Sequence, residues 1–269
     1  MSVITFLSDY GYNDEFVGVC HGVLATWCPQ AQVIDITHGI ARHDVRAGAV
    51  ALRGAVAYMP PGVHLAIVDP DVGRPARRAV AVRTAARNHL LVGPDNGLLA
   101  LAAERLGGVV ETVDIGESPH RLEPVCATFH GRDIFAPVAA ALAGGAALAG
   151  VGKPFAPAEL VGLELPRSRV EGGVLVAQVR TIDVFGNTQL NVDAAELRSF
   201  GLEIGVSVEL QVVDGRFGAC YVSAFSDAPA DDLLLYEDSQ QQLAVAVNRG
   251  SAAERLDLGL DSEVRLRLA

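Results

Sequence analysis

The chain has 269 residues, enough for one large domain or two moderate ones around a sizeable hydrophobic core. Hydrophobic residues make up 50% and charged residues 20% of the sequence, a balance that excludes intrinsic disorder. The formal net charge of −11 disfavours nucleic acid as a partner and favours cationic small molecules. No apolar run reaches the roughly 20 residues that a membrane-spanning helix needs, so no membrane partner is expected.

The N-terminus and the cysteines predict a cytoplasmic protein. The first residues, MSVITFLSDYG, contain no basic segment followed by a cleavable apolar stretch. The four cysteines show no CxxC spacing, which is typical of free thiols in a reducing compartment; they are Cys20, Cys28, Cys126 and Cys220.

Strands and helices alternate through the first half of the chain. The hydrophobic pattern predicts strands at 3–7, 32–36, 64–68, 79–84, 89–92 and 109–113. It predicts helices that end near Thr26, Tyr58, Leu106 and Leu142, with Asn13 or Asp14 capping the first and Asp44 the second. Such alternation predicts an α/β domain, a mostly parallel sheet covered by helices, over residues 1–160.

The composition shifts to Pro and Gly between about residues 150 and 170, which predicts a domain boundary there. Beyond it the pattern is β-rich, with Gly, Asp and Asn turns between short apolar segments at 174–184, 206–213, 217–222, 243–248 and 264–268. We therefore expect a second domain over residues 168–269, a small antiparallel β-barrel or sandwich.

Polar clusters follow several predicted strands of the first domain, where open α/β sheets bind their ligands. Asp14 and Asp133 are equally placed to cap helices, and His38 to make a structural hydrogen bond. We expect the clusters to converge at one sheet edge, and this convergence favours a functional site. The clusters are Asp9/Asp14, His38/His43, Asp69/Arg77/Arg78 and His130/Arg132/Asp133.

Known cofactor and hydrolase motifs are missing. The sequence contains no HExxH pair, no GxSxG elbow, no P-loop and no GxG fingerprint after the first strand, so neither a metal nor a cofactor is predicted. In the second half, Asp183–Asn187 is either a hairpin turn or part of a site, and the small-residue loop through Ala252 could approach a flat ligand such as a purine edge.

Several motifs together resemble the S-adenosyl-L-methionine (SAM) hydroxide adenosyltransferases, relatives of the fluorinases and chlorinases. They run through nearly the whole chain: LSDYGYNDEFVG, ITHGI, VDPDVG with the following RR, VGPDNGLL, TFHGRDIFAPVAA, DVFGNTQLN and AVNRGSAA. The resemblance implies an N-terminal α/β domain, a C-terminal β-barrel, and a homotrimer whose site lies between subunits. It also implies a reaction, attack of water or hydroxide on the ribose C5′ of SAM to give adenosine and L-methionine.

The resemblance also assigns site residues. Asp69, Arg77 and His130 match the catalytic set, and Asp9 matches the residue that holds the ribose hydroxyls, with Asp14 as a further substrate contact. The remaining expected substrate contacts lie in the second domain: Asp183 and Asn187 for the methionine amino and carboxylate ends, Ser239 as a weaker candidate for the carboxylate, and the backbone near Ser251 and Ala252 for the adenine edge.

Two departures from the family pattern leave the catalytic arginine open. One additional residue stands between Gly73 and the paired arginines, and Asp71 stands where glycine is usual, so either Arg77 or Arg78 is the catalytic arginine, and Arg77 is favoured. Asp69-Pro70 stands where the halide-using relatives carry Tyr-Pro, and a carboxylate is a poor neighbour for a halide ion. The alternatives to a hydrolase are a SAM- or adenosine-binding module without turnover and a halide-dependent 5′-halo-adenosine synthase.

Overall fold

The structure, a computed structural model, describes residues 2–268 and divides into two compact units, Met1–Leu163 and Glu164–Ala269. Within the described residues 2–163, the first unit contains seven strands: β1 Val3–Ser8, β2 Gln32–Thr37, β3 Gly62–Ile67, β4 Ala79–Thr84, β5 His89–Pro94, β6 Val109–Asp114 and β7 Lys153–Phe155. Its α-helices are α1 Phe16–Trp27, α2 Val45–Val56, α3 Ala100–Arg105 and α4 Ala136–Ala143.

The seven strands form one sheet in the order β2-β1-β3-β5-β4-β6-β7. The first four in that order run parallel, whereas β4, β6 and β7 are joined by antiparallel pairings. Phe6 belongs to the apolar cluster formed with α1 and α4, while Gly48 of α2 faces Leu7 and Val68. Successive strand residues point to opposite faces, so helices cover both sides of this sheet and the predicted α/β class is confirmed.

The first two predicted helix caps had different outcomes. The Asp44 side chain accepts a hydrogen bond from Ala47 N at 2.8 Å and caps α2, as expected. The cap predicted at Asn13 or Asp14 is wrong, since α1 begins at Phe16 and Glu15 precedes it without a side-chain cap bond. Residues 12–15 bend before the helix, and this bend leaves Asp14 on the wall of a pocket.

The second unit is a closed barrel of seven strands with one edge strand. The strands are β8 Arg169–Glu171, β9 Val174–Ile182, β10 Thr188–Asp193, β11 Ser207–Val212, β12 Gly215–Tyr221, β13 Leu233–Glu237, β14 Gln242–Val247 and β15 Glu263–Leu268, with helices α5 Ala194–Phe200 and α6 Ala252–Arg255. The order β10-β14-β13-β12-β11-β15-β9 closes through a β9–β10 pairing, and β8 extends β9. Only β12 and β13 pair in parallel among these strands of residues 164–268, so the predicted barrel is confirmed.

The strand β10 was not predicted, although its apolar residues Leu190 and Val192 belong to the barrel core and alternate with polar residues. Thr188, Gln189 and Asn191 are all buried. Asn191 satisfies its amide by accepting from Gln178 N at 2.8 Å and donating to Pro166 O at 3.0 Å. Buried polar groups of this kind are tolerated when they are hydrogen-bonded.

Within residues 2–268, none of the helices combines the length and the apolar character needed to cross a membrane.

Candidate active site

A pocket of about 370 Å³ lies at the carboxyl ends of β1 and β3. The backbone N–H of Asp9 donates to Ile67 O at 3.3 Å, which ties the two strand ends together. Twelve residues line the pocket, among them four of the predicted site residues: Asp9, Asp14, Asp69 and His130. The expected convergence of polar side chains at one sheet edge is therefore observed for these four.

Arg77 connects two of these residues. Its Nη2 lies 2.8 Å from Asp69 Oδ2 and 2.7 Å from His130 Nδ1. The side chains of Arg77 and Asp69 are only 5% and 6% exposed, so this ion pair is shielded from bulk water. One guanidinium group thus fixes a carboxylate and an imidazole at the same wall of the pocket.

The Asp69 carboxylate keeps unused hydrogen-bonding capacity. Its oxygens are buried, and neither meets strict hydrogen-bond geometry with a group described in residues 2–268. Arg77 approaches as an ion pair by distance, and the backbone N–H of Asp71 is near enough to favour the charged form. Burial raises the pKa of this carboxyl to about 6, although Arg77 opposes the shift. A buried carboxylate with a pKa near neutrality is suited to accept a proton.

The contact with Arg77 determines the tautomer of His130. A guanidinium has only donors, so Nδ1 must be the acceptor in this hydrogen bond. Burial, and next the positive charge of Arg77, lower the pKa of His130 and keep the imidazole neutral near pH 7. The single ring proton therefore resides on Nε2, which makes His130 a hydrogen-bond donor through that atom.

Arg78 has a different environment. It donates to Asp95 Oδ2 at 2.8 Å and to the backbone O of Glu159 at 2.5 Å, and it stacks over the Phe155 ring with its Cζ 4.2 Å from the centroid. Asp95 also accepts from Val161 N at 2.8 Å. Arg78 therefore fastens residues 155–161 to the sheet, and Arg77 is the arginine that the structure brings to Asp69 and His130.

The segment after β6 brings His130 to the pocket through a π-helical turn at Gly131–Phe135. A Cβ on Gly131 would lie 2.2 Å from the Tyr10 hydroxyl oxygen, so only glycine fits against that ring. The neighbouring Asp133 is not a helix cap and does not line the pocket. It accepts from Arg132 Nε at 2.6 Å and from Cys126 N at 2.7 Å, which braces the turn from behind.

Asp9 organises a further part of the pocket lining. Its Oδ2 accepts a hydrogen bond from His43 N at 2.9 Å, and His43 adopts a left-handed backbone with φ of 66°. His43, Arg42 and Tyr10 all line the pocket. The sequence groups His43 with His38, but His38 is fully buried and does not line the pocket; its Nδ1 lies 2.7 Å from Ser8 Oγ. Sequence reasoning did not single out Arg42 or Tyr10, although both lie within a few residues of predicted site residues.

A second, larger pocket of about 1240 Å³ lies in the barrel unit. Four further predicted residues line it: Asp183, Asn187, Ser239 and Ser251. Ala252, predicted with them, is fully buried at the start of α6 and does not contribute to the lining. Sequence reasoning missed the aromatic pair Phe225 and Tyr236, whose ring centroids lie 4.8 Å apart in this pocket, because their spacing follows no motif.

The Asp183–Asn187 segment is a turn and a pocket wall at once. Asp183 Oδ1 accepts from the N–H groups of Phe185 and Asn187 at 2.9 Å each, and its Oδ2 accepts from Asn187 Nδ2 at 2.8 Å. Gly186 has φ of 79°, and a Cβ there would lie 2.1 Å from Ser251 Oγ. The glycine therefore lets this turn rest directly on the loop that contains Ser251.

Comparisons with known proteins agree with these two units. The family profile described as SAM hydroxide adenosyltransferase N-terminal domain matches residues 4–152, and the corresponding C-terminal domain profile matches residues 177–265. An (R)-S-adenosyl-L-methionine hydrolase from Salinispora tropica is 48% identical over 265 residues, which is 98% of this chain and 97% of that protein.

More distant similarity extends to a fluorinase from an Actinoplanes species, 30% identical over 93% of this chain and 92% of that protein. Among solved structures, an uncharacterized conserved protein from Thermotoga maritima superposes with a TM-score of 0.91 at 33% identity, covering 98% of this chain and 99% of that one. This chain belongs to the SAM hydroxide adenosyltransferase family, as both domain profiles and the full-length similarity establish.

Proposed function

We propose that this chain is a SAM hydrolase that releases adenosine and L-methionine by attack of water on the ribose C5′. The observation that carries the proposal is the buried, underused Asp69 carboxylate at the pocket wall, held with His130 by Arg77. The chain's family membership and its 48% identity to a protein named (R)-S-adenosyl-L-methionine hydrolase support SAM as the substrate, in the (R) configuration at sulfur.

The chemistry requires a base but no acid. A new C5′–O bond forms from water, the C5′–S bond breaks, and both of its electrons go to sulfur, so the sulfonium leaves as a neutral thioether. One proton must be removed from the attacking water. The protein therefore has to hold water in line with the C5′–S bond and accept that proton in a site stripped of bulk solvent.

Asp69 is the proposed proton acceptor, since its pKa is raised to about 6 and its oxygens have capacity for a donor. A positioned base of this kind typically contributes about 10²–10⁴-fold to the rate. His130 is proposed to orient the water by donating from Nε2, because its Nδ1 is occupied by Arg77. Arg77 holds both partners and keeps His130 in the donor tautomer.

Substrate contacts are proposed for the remaining residues. Asp9, already fixed by His43 N, would hold the ribose hydroxyls, with Asp14 on the same wall. Asp183 and Asn187 would hold the methionine end. Ser239 is a weaker candidate for that end, and the backbone of Ser251 and Ala252 would meet the adenine edge. The carboxylates of Asp9, Asp14 and Asp183 favour binding of a cationic substrate in the ground state. Their negative charge does little for the rate, because the positive charge on sulfur disappears as the C5′–S bond breaks.

The hydrolase assay is the direct test. Purified protein incubated with each sulfur epimer of SAM is expected to form adenosine and L-methionine in equal amounts from the (R) epimer, measured by liquid chromatography. Supplying chloride or fluoride is expected to yield no 5′-halo-adenosine. Intact SAM after incubation, with tight binding by calorimetry, would instead identify a binding module without turnover.

The acid limb of the pH profile tests the role of Asp69. Because its raised pKa is about 6, the proton-accepting form is lost as pH falls through that value, and kcat/KM should drop about tenfold per pH unit below it. The positive charge of bound SAM favours the ionised form of Asp69 and lowers its pKa. The acid limb of kcat should therefore lie at lower pH than the acid limb of kcat/KM. Asp69→Asn should lower kcat by about 10²–10⁴-fold, and a wild-type limb near the ordinary Asp pKa would refute the assignment.

The two arginines provide a matched pair of variants. Arg77→Lys keeps the charge but cannot reach both Asp69 and His130, and losing one hydrogen bond to a charged group costs about 1.5–3 kcal/mol. We expect kcat/KM to fall about 10–100-fold. Arg78→Lys should leave kcat/KM near the wild-type value and lower the melting temperature, since Arg78 holds the 155–161 segment. Equal losses of activity in both variants would contradict the choice of Arg77.

We further propose that the protein acts in the cytoplasm as a homotrimer whose site combines the α/β pocket of one copy with the barrel pocket of its neighbour. The free thiols of Cys20, Cys28, Cys126 and Cys220 are consistent with a reducing compartment. The trimer follows from the resemblance, and a ring of head-to-tail contacts would give each site one contribution from each of two chains.

Mixing two inactive variants tests the shared site. Asp69→Asn damages the α/β pocket and Asp183→Asn the barrel pocket, so each homotrimer should be nearly inactive. If each site is formed by two copies, about one quarter of the sites in randomly mixed trimers would combine an undamaged α/β pocket with an undamaged barrel pocket. No recovery in mixed trimers whose mass is verified by light scattering would place both contributions in the same chain.

A further inference from the structure

Three potential metal ligands meet outside the pocket described above. His21 on α1, Asp35 on β2 and His38 just after β2 each direct a ligand atom to one place. His21 Nε2 lies 2.9 Å and His38 Nε2 3.1 Å from Asp35 Oδ1, and the three atoms are all within 4.8 Å of one another. We propose that this cluster binds a divalent first-row transition-metal ion of the Zn²⁺ type.

The unsatisfied nitrogen of His38 points to a ligand. The side chain is 0% exposed, and although Nε2 lies 3.1 Å from Asp35 Oδ1, the contact lacks hydrogen-bond geometry, so Nε2 has no hydrogen-bond partner among the described residues. A buried ring nitrogen without a partner is costly in a protein interior. A metal ion between His38, Asp35 and His21 would satisfy it.

Two of the three ligand separations suit coordination after small adjustments, and the third, between the two histidines, is within 4.8 Å. Zn²⁺ bonds nitrogen and carboxylate oxygen at about 2.0–2.1 Å, which places neighbouring ligand atoms of a tetrahedron about 3.3 Å apart. The two measured separations to Asp35 Oδ1, 2.9 and 3.1 Å, are within a few tenths of an ångström of that value. The side chains of His21 and Asp35 are 34% and 31% exposed, so water can reach the fourth position. Two imidazoles, one carboxylate and a water match the ligand preference of Zn²⁺.

The surroundings of His38 also resemble those of metal-bound histidines. Its Nδ1 lies 2.7 Å from Ser8 Oγ, a contact that fixes the ring while Nε2 stays available. The ring packs edge-on against Phe6 and Tyr12, with centroids 4.5 and 5.2 Å away, and these rings exclude solvent from the buried side.

The ion would support the substrate pocket from behind. It would join α1 to the end of β2, and the backbone O of His38 accepts from Gly11 N at 2.8 Å in the loop that contains Asp9. Its expected role is to stabilise this corner of the α/β unit, and no step of the reaction depends on it. Sequence reasoning found no metal motif because the three ligands come from a helix, a strand and the loop after that strand, and have no HxxxH spacing.

Calorimetry with Zn²⁺ alone on chelator-treated full-length protein tests the proposal. We expect one ion per chain, a melting temperature that rises with Zn²⁺ concentration, and visible d–d absorption of a four-coordinate site when Co²⁺ is the probe. Asp35→Asn and His21→Asn should each abolish these signals, and both positions are partly exposed, so the variants should fold. Ser8→Ala should weaken binding about 10–100-fold by freeing the His38 ring.

His120→Asn is the matched control, since His120 is a partly exposed histidine of the same unit outside the cluster, and it should bind Zn²⁺ like the wild type. Absence of Zn²⁺ binding by the wild type would show that the cluster is only a set of ion-pair contacts. Binding that survives both Asp35→Asn and His21→Asn would place the ion elsewhere. Either result overturns the proposal.

Discussion

The α/β site depends on one guanidinium group. Arg77 Nη2 lies within 2.8 Å of both Asp69 Oδ2 and His130 Nδ1, in a place where almost no water can screen the charge. Removing one partner of such a buried pair leaves an uncompensated charge, which costs about 3–5 kcal/mol. The same contact decides which histidine nitrogen carries the proton. One interaction therefore sets the position of the proposed base Asp69, the tautomer of His130 and the cohesion of the pocket wall.

The backbone is shaped to allow that interaction. Parallel β1 and β3 end side by side, which places Asp9 and Asp69 at the same edge. The π-helical turn at Gly131–Phe135 widens the start of α4 and presents His130 to them. π-helical turns are rare and often occur at functional sites. The contacts that hold these backbone segments in place lie outside the pocket: the Arg132–Asp133 pair braces the π-helical turn, and Arg78 holds residues 155–161.

The pocket of the barrel unit is built differently. Its pocket is larger and is bounded by a turn whose carboxylate accepts three hydrogen bonds from within the turn itself. Asp183 is therefore both a structural residue and a proposed contact for the methionine end. The two interpretations of this segment, hairpin turn and site, are compatible because Asp183 Oδ2 accepts one hydrogen bond within the turn and has a second lone pair for a ligand.

Local pattern in the sequence determined much of this protein. Period-two and helical spacing located most strands and helices, and motifs along the chain indicated the family, the reaction and Asp69, Arg77 or Arg78, and His130 as site residues. Tertiary structure alone decided that Arg77 and not Arg78 reaches Asp69, because the competing partners of Arg78, Asp95 and Glu159, lie 17 and 81 residues away. It also decided that Asp14 lines a pocket instead of capping a helix, and that His21, Asp35 and His38 converge. Contacts between distant residues depend on how the elements pack, and a local pattern contains no record of that packing.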